Sequence, residues 1–274
     1  MFFSKEKRLK MIWTVRKGPA LGYLVGTAHF FPYSFKKSLE DLTRRVKTIL
    51  LEGPLDDPNM KKVVERGVEG KGAPALYDAL DEKTIIKITQ RLRLTPADSR
   101  LNSLAPFFSS TDYDPLREMI QGMRPWMAFF SIWTHFLKDR GWNYSVDLDA
   151  LKIGQEMGKE VIFLEKIEEQ LHALDQVPFE RIVAFLKQID HWEKYSKRHA
   201  DSYLNGEIPS FMNTTVQFPT RCPAIIENRD SVFFERMKPY IARGEVIAFL
   251  GVPHIPGVQK RLQDIGYQVE KYNS

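Results

Sequence analysis

Hydrophobic and polar positions along the chain alternate between short continuous apolar runs and stretches with helical spacing. Trp13, Val15 and their neighbours lead into Lys17, Gly18 and Pro19, and Leu21 to Val25 follows, which predicts a β-hairpin. A polar helix is expected from about Phe35 to Val46. Thr48 to Leu51 is short, apolar and closed by Gly53 and Pro54, as a buried strand should be. Between about Asp57 and Gly141 the period turns helical, broken by Pro and Gly, and this predicts a helical insert. In its longest piece Leu116, Met119, Ile120, Met123, Trp126, Met127, Phe130, Trp133 and Leu137 share one face, with a kink expected at Pro125. Such a Met and aromatic stripe reads as packing rather than a cofactor box.

Beyond Val146 a helix should run to Met157 and stop at Gly158, before a buried strand from Val161 to Leu164. One helix should begin near Ile167. Another should span Phe179 to about Lys197, with Ile182, Phe185, Leu186, Ile189 and Trp192 on its apolar face. Asn205 to Pro223 reads as irregular structure because of Gly206, Pro209, Pro219 and Pro223. A helix from about Arg229 to Ala242, a strand from Val246 to Leu250, a short helix and a strand from Tyr267 to Val269 complete the pattern. The fold class expected is α/β: a central, mostly parallel sheet flanked by helices, in one domain over 1–274 with a helical cap insertion at 57–140.

Composition narrows this little: 43% hydrophobic and 27% charged residues in 274 are ordinary for a globular chain. The net charge of +5 is scattered, without a run of five like charges, so it predicts a solvated surface and no nucleic-acid partner. With Cys222 alone, no intrachain disulfide can form. Phe2 and Phe3 alternate with Lys5, Lys7, Arg8 and Lys10, without the apolar stretch of a signal peptide. Trp126 to Leu137, only 12 residues and interrupted by Ser131, Thr134 and His135, is too short to span a bilayer. These features together predict a cytoplasmic protein with no membrane span.

Candidate chemistry gathers where four apolar runs end. Leu21 to Val25 precedes His29, Ile49 to Leu51 precedes Glu52, Val161 to Leu164 precedes Glu165, and Val246 to Leu250 precedes His254. In open α/β sheets ligands bind at the carboxyl ends of parallel strands, so strands sharing one direction would bring all four groups to one edge. Gly26 and Gly251 should let the chain leave its strand sharply and at close quarters, with each His three residues on. His29, Glu52 and His254 form a two-histidine, one-carboxylate set that suits a divalent ion (Mn, Co or Zn) with an open position. Glu165 is then a fourth ligand, a supporting partner or a general base. Arg229, just before a helix, can polarise a carbonyl or hold a carboxylate through its fork. His135, His172, His191 and His199 lie on expected helices without metal spacing and read as structural. Cys222 has no nearby sequence partner that would make it a nucleophile. The chain lacks the Gly-x-Ser-x-Gly elbow, the His-Glu-x-x-His helix and the phosphate-binding loop, and Gly67, Gly70 and Gly72 around Lys71 read as a flexible connection.

Across nearly its whole length the sequence resembles the TraB/GumN (PrgY-like) family, which is related to the Tiki metalloproteases. The marks are Tyr23-Leu-Val-Gly-Thr-Ala-His29, Leu50-Leu-Glu52, Asp147-Leu-Asp149, Gly158-Lys-Glu-Val-Ile-Phe-Leu-Glu165, Glu168-Glu-Gln170, Asn228-Arg229, Phe249-Leu-Gly-Val-Pro-His254, Gly257 and Gly266-Tyr-Gln-Val269. The resemblance implies a Tiki/TraB-like or ChaN/EreA-like sheet with a helical cap. It also implies a site built from His29, Glu52, Asn228, Arg229 and His254, with Glu165 at a further family position. Ala28 and Pro253 depart from residues common in relatives and change loop rigidity without removing a ligand. The function expected is a metal-dependent hydrolase, foremost a peptidase acting on peptides, with His29, Glu52 and His254 holding the metal and Asn228 and Arg229 orienting the scissile carbonyl. The alternative is a non-catalytic protein that captures a peptide, haem or another metal-containing small molecule at the same place.

Overall fold

The computed structural model describes residues 6–70, 72, 75–94 and 114–272. Phe2, Phe3, Lys5, Lys71 and the 95–113 part of the expected cap lie outside the described residues.

Six strands form one mixed sheet: β1 (Ile12–Lys17), β2 (Ala20–Thr27), β3 (Thr48–Leu51), β4 (Glu160–Phe163), β5 (Val246–Gly251) and β6 (Gln268–Lys271). Their order is β4-β3-β5-β2-β1-β6. The hairpin pairs Lys17 with Ala20 across Gly18 and Pro19, and Gly18 takes the left-handed φ of +57° that the tight turn requires. β2, β5, β3 and β4 run parallel, with Gly22 beside Val246, Thr27 beside Gly251, Leu51 beside Phe249 and Leu51 beside Phe163. β1 is antiparallel to both β2 and β6. Parallel strands covered on both faces need continuous apolar sequence rather than alternation. Ile247, Ala248, Phe249 and Leu250 are accordingly fully buried, as are Ile49, Leu50, Leu24 and Val25.

Helix 227–243 lays Phe233, Met237 and Ile241, spaced by one turn, over β2 and β5. Gly244, at φ +74°, ends it. Helix 146–156 likewise ends before Gly158, whose φ is +63°.

Three expectations about helices are corrected. The Leu116 to Leu137 stripe is carried by two helices, Pro115–Ile120 and Pro125–Asp139, not one kinked helix. Gly122 at φ +74° breaks the chain between them, and Pro125 opens the second helix, where its missing N–H costs nothing. Phe179 to Lys197 divides into helix Phe179–Leu186, a 3-10 turn Ile189–His191 and helix Trp192–Asn205. Where the first helix ends, Phe185 O accepts both the Gln188 N–H at 3.0 Å and the Trp192 indole N–H at 3.1 Å. The expected face is still buried, from Ile182 through Phe185, Leu186 and Ile189 to Trp192. The stretch read as irregular contains helix Ile208–Thr214, with Pro209 in its first turn, a position where proline favours a helix.

The helices between 57 and 140 share core with the sheet: Leu116, Ile120, Phe129, Ile132 and Phe136 belong to the same apolar cluster as the β2, β3 and β5 side chains. Helices 57–68 and 125–139 also pack on helix 167–175, through Met60, Val63 and Trp126 against Ile167 and Leu171. Asp175 accepts from Arg66 at 2.7 Å, Arg124 at 3.1 Å and the Trp126 indole at 2.9 Å. No helix among the described residues is long and apolar enough to cross a membrane.

Candidate functional site

The four parallel strands deliver their carboxyl ends to one edge, and Glu52, Glu165, His254 and His29 follow those ends. β5, the last of the four in sequence, inserts between β3 and β2, so His254 lies between the elements that carry Glu52 and His29.

Glu52 and Glu165 share one guanidinium. Arg229 Nη2 donates to Glu52 Oε2 at 2.9 Å and to Glu165 Oε1 at 2.5 Å, while its Nε donates to Glu165 Oε2 at 3.0 Å. Phe233 lies under the guanidinium, 4.9 Å from ring centre to Cζ. Of the two roles open to Arg229, holding carboxylates through its fork is the one displayed. Glu52 Oε1 also accepts the Gly251 N–H at 2.5 Å. Gly251 has an ordinary φ of −50°, so its exit from the strand needs no left-handed backbone. Its role is close approach, since a Cβ there would stand 3.2 Å from Glu52 Oε1.

Each histidine is tied through Nδ1 to an aspartate in the first turn of a helix. His254 Nδ1 lies 2.7 Å from Asp230 Oδ1, with both side chains buried. Gly257 makes room for this pair, because a Cβ there would fall 1.9 Å from Asp230 Oδ2. His29 Nδ1 lies 3.0 Å from Asp147 Oδ2, an ion-pair contact that is not aligned as a hydrogen bond. Val146 N–H donates to Ala28 O, and Phe31 pairs with Tyr144, which lays the start of helix 146–156 against the His29 loop. The His29 side chain is 64% exposed and that of His254 only 4%, so the site opens on the His29 side. His254 Nε2 stands 3.8 Å from Glu52 Oε1, too far for a direct hydrogen bond.

Electrostatics follow from these contacts. Burial pushes the Glu52 carboxyl up, but His254, Arg229, His29 and the Gly251 N–H outweigh it and hold it at about 2. Glu165 is pushed above the ordinary carboxyl value by burial, which Arg229 offsets only in part. For Arg229 burial opposes the charge, yet Glu52 and Glu165 raise it further and it stays cationic. Asp147 raises His29 to about 9 against the opposing effect of desolvation.

Asn228 is exposed in the first turn of helix 227–243 and takes no part in these pairs. Of the remaining histidines, His135 Nε2 meets Leu92 O at 3.1 Å and His172 Nε2 meets Gln176 at 2.6 Å, while Cys222 is a buried free thiol. The residues that sequence reasoning missed are Asp147, quoted only as a family mark, and Asp230. Their signal is an aspartate at a helix start, and for Asp230 the glycine three residues past His254.

Among the described residues, no three His, Cys, Asp or Glu side chains are drawn close enough to enclose a metal ion. The residue types gathered here are nevertheless ones that bind divalent ions. The Asp230 carboxylate on Nδ1 of His254 leaves a neutral imidazole there its Nε2 lone pair, the usual arrangement behind a metal-bound histidine. Glu52 stays ionised beside them.

A family model for the TraB/PrgY/gumN family matches residues 11–271. None of the curated proteins compared with the chain is similar enough to count as a match.

Proposed function

The chain belongs to the TraB/PrgY/gumN family, and on that footing we propose that it is a metal-dependent hydrolase, foremost a peptidase, in which His29, Glu52 and His254 hold a divalent ion. The observation that carries this reading is the paired His–Asp arrangement at neighbouring strand ends, with His254 Nε2 3.8 Å from an ionised Glu52. A bound divalent ion would supply a Lewis acid and a water acidified toward neutral pH. Asp230 holds His254 in the tautomer whose Nε2 is free, and Asp147 stands by His29 as an ion-pair partner. Arg229 keeps Glu52 ionised, and Glu165 keeps Arg229 turned toward Glu52. Substrate enters over the exposed His29, where Asn228 at the surface is the candidate for contact with the scissile carbonyl. The helices between 57 and 140 would cap this edge, since helix 57–68 begins five residues after Glu52 and packs on the helix that follows Glu165.

One observation favours a second reading, capture of a peptide or a metal-containing small molecule without turnover. Both oxygens of Glu52 are already engaged, by Gly251 and Arg229. The deciding experiment is elemental analysis of untagged protein, followed by loading with Mn, Co or Zn and assay against a peptide library. Stoichiometric binding lost together with hydrolysis in Glu52→Gln and His254→Ala supports the hydrolase. Binding without turnover leaves the capture reading, and no binding by any of the three ions overturns the hydrolase and favours capture.

A further inference from the structure

The loop that carries His29 is held by a side chain from a distant helix. Tyr203, fully buried near the end of helix Trp192–Asn205, donates its hydroxyl to Gly26 O at 2.7 Å across 177 residues. Gly26 stands near the end of β2, three positions before His29, and its own N–H is taken by Met11 O at 2.8 Å. The ring of the same tyrosine packs on Phe31, two residues past His29, at 4.8 Å between centroids, and on Phe35 at 5.6 Å. One side chain therefore holds the chain on both sides of His29. Burial, and then the charge of Asp147, push the Tyr203 hydroxyl well above its ordinary value, so it stays protonated and donating.

Phe31 in turn exchanges two backbone hydrogen bonds with Tyr144, at 2.8 and 3.1 Å, and Val146 N–H donates to Ala28 O at 3.1 Å. The loop that Tyr203 holds is thus the loop that brings His29 to Asp147. The second histidine is reached through the next helix. Gly206, at a left-handed φ of +75°, turns the chain toward helix Ile208–Thr214, and Ser202 Oγ meets Ser210 Oγ at 3.0 Å between the two helices. Helix Ile208–Thr214 packs on the turn Val252–His254. This pair of helices touches both histidine elements. A buried hydroxyl needs an acceptor, and Tyr195 on the same helix finds one locally, donating to Gln188 Oε1 at 2.6 Å. Tyr203 differs in donating to the strand end that leads into His29.

We propose that Tyr203 is a positioning residue for His29, its hydroxyl on Gly26 and its ring on Phe31 fixing the loop so that His29 meets an ion held by Glu52 and His254. The proposal rests on the reading of these three residues as metal ligands and adds what keeps the first of them in place. A ligand loop that wanders is competent for only part of the time, and affinity falls by that fraction.

The test uses the full chain and two single variants, Tyr203→Phe and Tyr195→Phe, each of which removes one hydroxyl and keeps the ring. In metal-free protein, amide hydrogen exchange at Phe31 and Val146 is read against Ile49 and Leu50 in β3, a strand paired on both sides. Tyr203→Phe should speed exchange at Phe31 and Val146 by at least about tenfold relative to those strand amides, because a buried carbonyl beside the loop loses its donor. Tyr195→Phe should leave that ratio unchanged. Titration with Mn, Co and Zn should show affinity at least about tenfold lower in Tyr203→Phe and equal to the parent in Tyr195→Phe. A hydroxyl that only stabilises the fold gives another pattern, with exchange rising in β3 as much as at Phe31 and metal affinity kept, and that pattern overturns the proposal. A parent that binds metal while Tyr203→Phe binds it equally well overturns the positioning role alone and leaves the hydrolase reading standing. A parent that binds none of the three ions removes His29 as a ligand, and the positioning role falls with it. Should Tyr203→Phe not fold, Phe31→Leu, which loses the ring contact and keeps the hydroxyl bond, should raise exchange at Val146 over that of β3, and no rise overturns the proposal.

Discussion

Replacing Arg229 by Met, close in length but uncharged, tests the central ionic group most directly. It leaves the side chains of Glu52 and Glu165, 11% and 2% exposed, without their cation. Removing one partner of a buried ion pair costs about 3–5 kcal/mol if the orphaned charge remains. The protein has a second choice, which is to protonate a carboxyl. From an ordinary value of 4.5, that costs about 1.4 kcal/mol per pH unit, hence roughly 3.4 kcal/mol at pH 7 and roughly 0.7 kcal/mol at pH 5. Protonation of Glu165 is the cheaper course, because burial already pushes its carboxyl up. The sign follows: in the variant, folded-state carboxyl values lie above the unfolded value, so the destabilisation is present well above pH 4.5 and fades as pH falls toward it. Urea unfolding of parent and variant at pH 7 and pH 5 measures the difference. A loss of about 3–4 kcal/mol at pH 7 should shrink by roughly 2–3 kcal/mol at pH 5. A loss below about 1 kcal/mol at pH 7, or one that is the same at both pH values, would refute the charge argument.

Asp230→Asn should lower affinity for a divalent ion by about 10–100-fold while the fold persists, measured by metal titration alongside circular dichroism; unchanged affinity would remove its positioning role. Gly257→Ala places a methyl where Asp230 Oδ2 stands 1.9 Å away. It should cost about 1–3 kcal/mol in urea unfolding and share the metal defect of Asp230→Asn. In metal-free protein the His29–Asp147 pair, with His29 raised from 6.5 to about 9, contributes stability that is complete below pH 6.5 and lost as pH rises through 9. The Tm gap between the parent and His29→Gln should therefore narrow over that range, and a gap that widens would contradict the pairing. Because His29 is largely exposed, the gap should be small and should shrink with added salt.

How much was legible in the sequence depended on whether a signal was local. Buried parallel strands announce themselves as continuous apolar runs, and β2, β3, β4 and β5 lie within a residue or two of where those runs place them. Gly18, Gly158 and Gly244 marked real chain reversals or helix ends through their φ angles. Proline was the weaker guide. Pro125 and Pro209 sit in first turns, and spacing alone does not distinguish a proline that opens a helix from one that breaks it. The division after Leu186 leaves the apolar period unchanged, so spacing alone does not reveal it. At the site, the groups that end strands were readable, whereas Asp147 and Asp230 were not. Their partners are 118 and 24 residues away, and each depends on where its helix starts relative to a loop from another strand.

That dependence says something about how the site is assembled. Glu52 is bound to Gly251 across 199 residues and to Arg229 across 177, so its two oxygens have no native partners until the carboxyl-terminal third of the chain is docked. β5 must enter the slot between β3 and β2 before His254 can face Glu52. Desolvating Glu52 before Arg229 arrives would be costly, because burial works against its charge. Glu52 therefore reaches its native partners only together with β5 and helix 227–243. A site arranged this way is coupled to completion of the sheet: whatever loosens β5 loosens Glu52, Arg229 and His254 together. Substitutions that weaken the packing of Phe249 or Met237 should for that reason affect the site as a unit, even though neither side chain belongs to it.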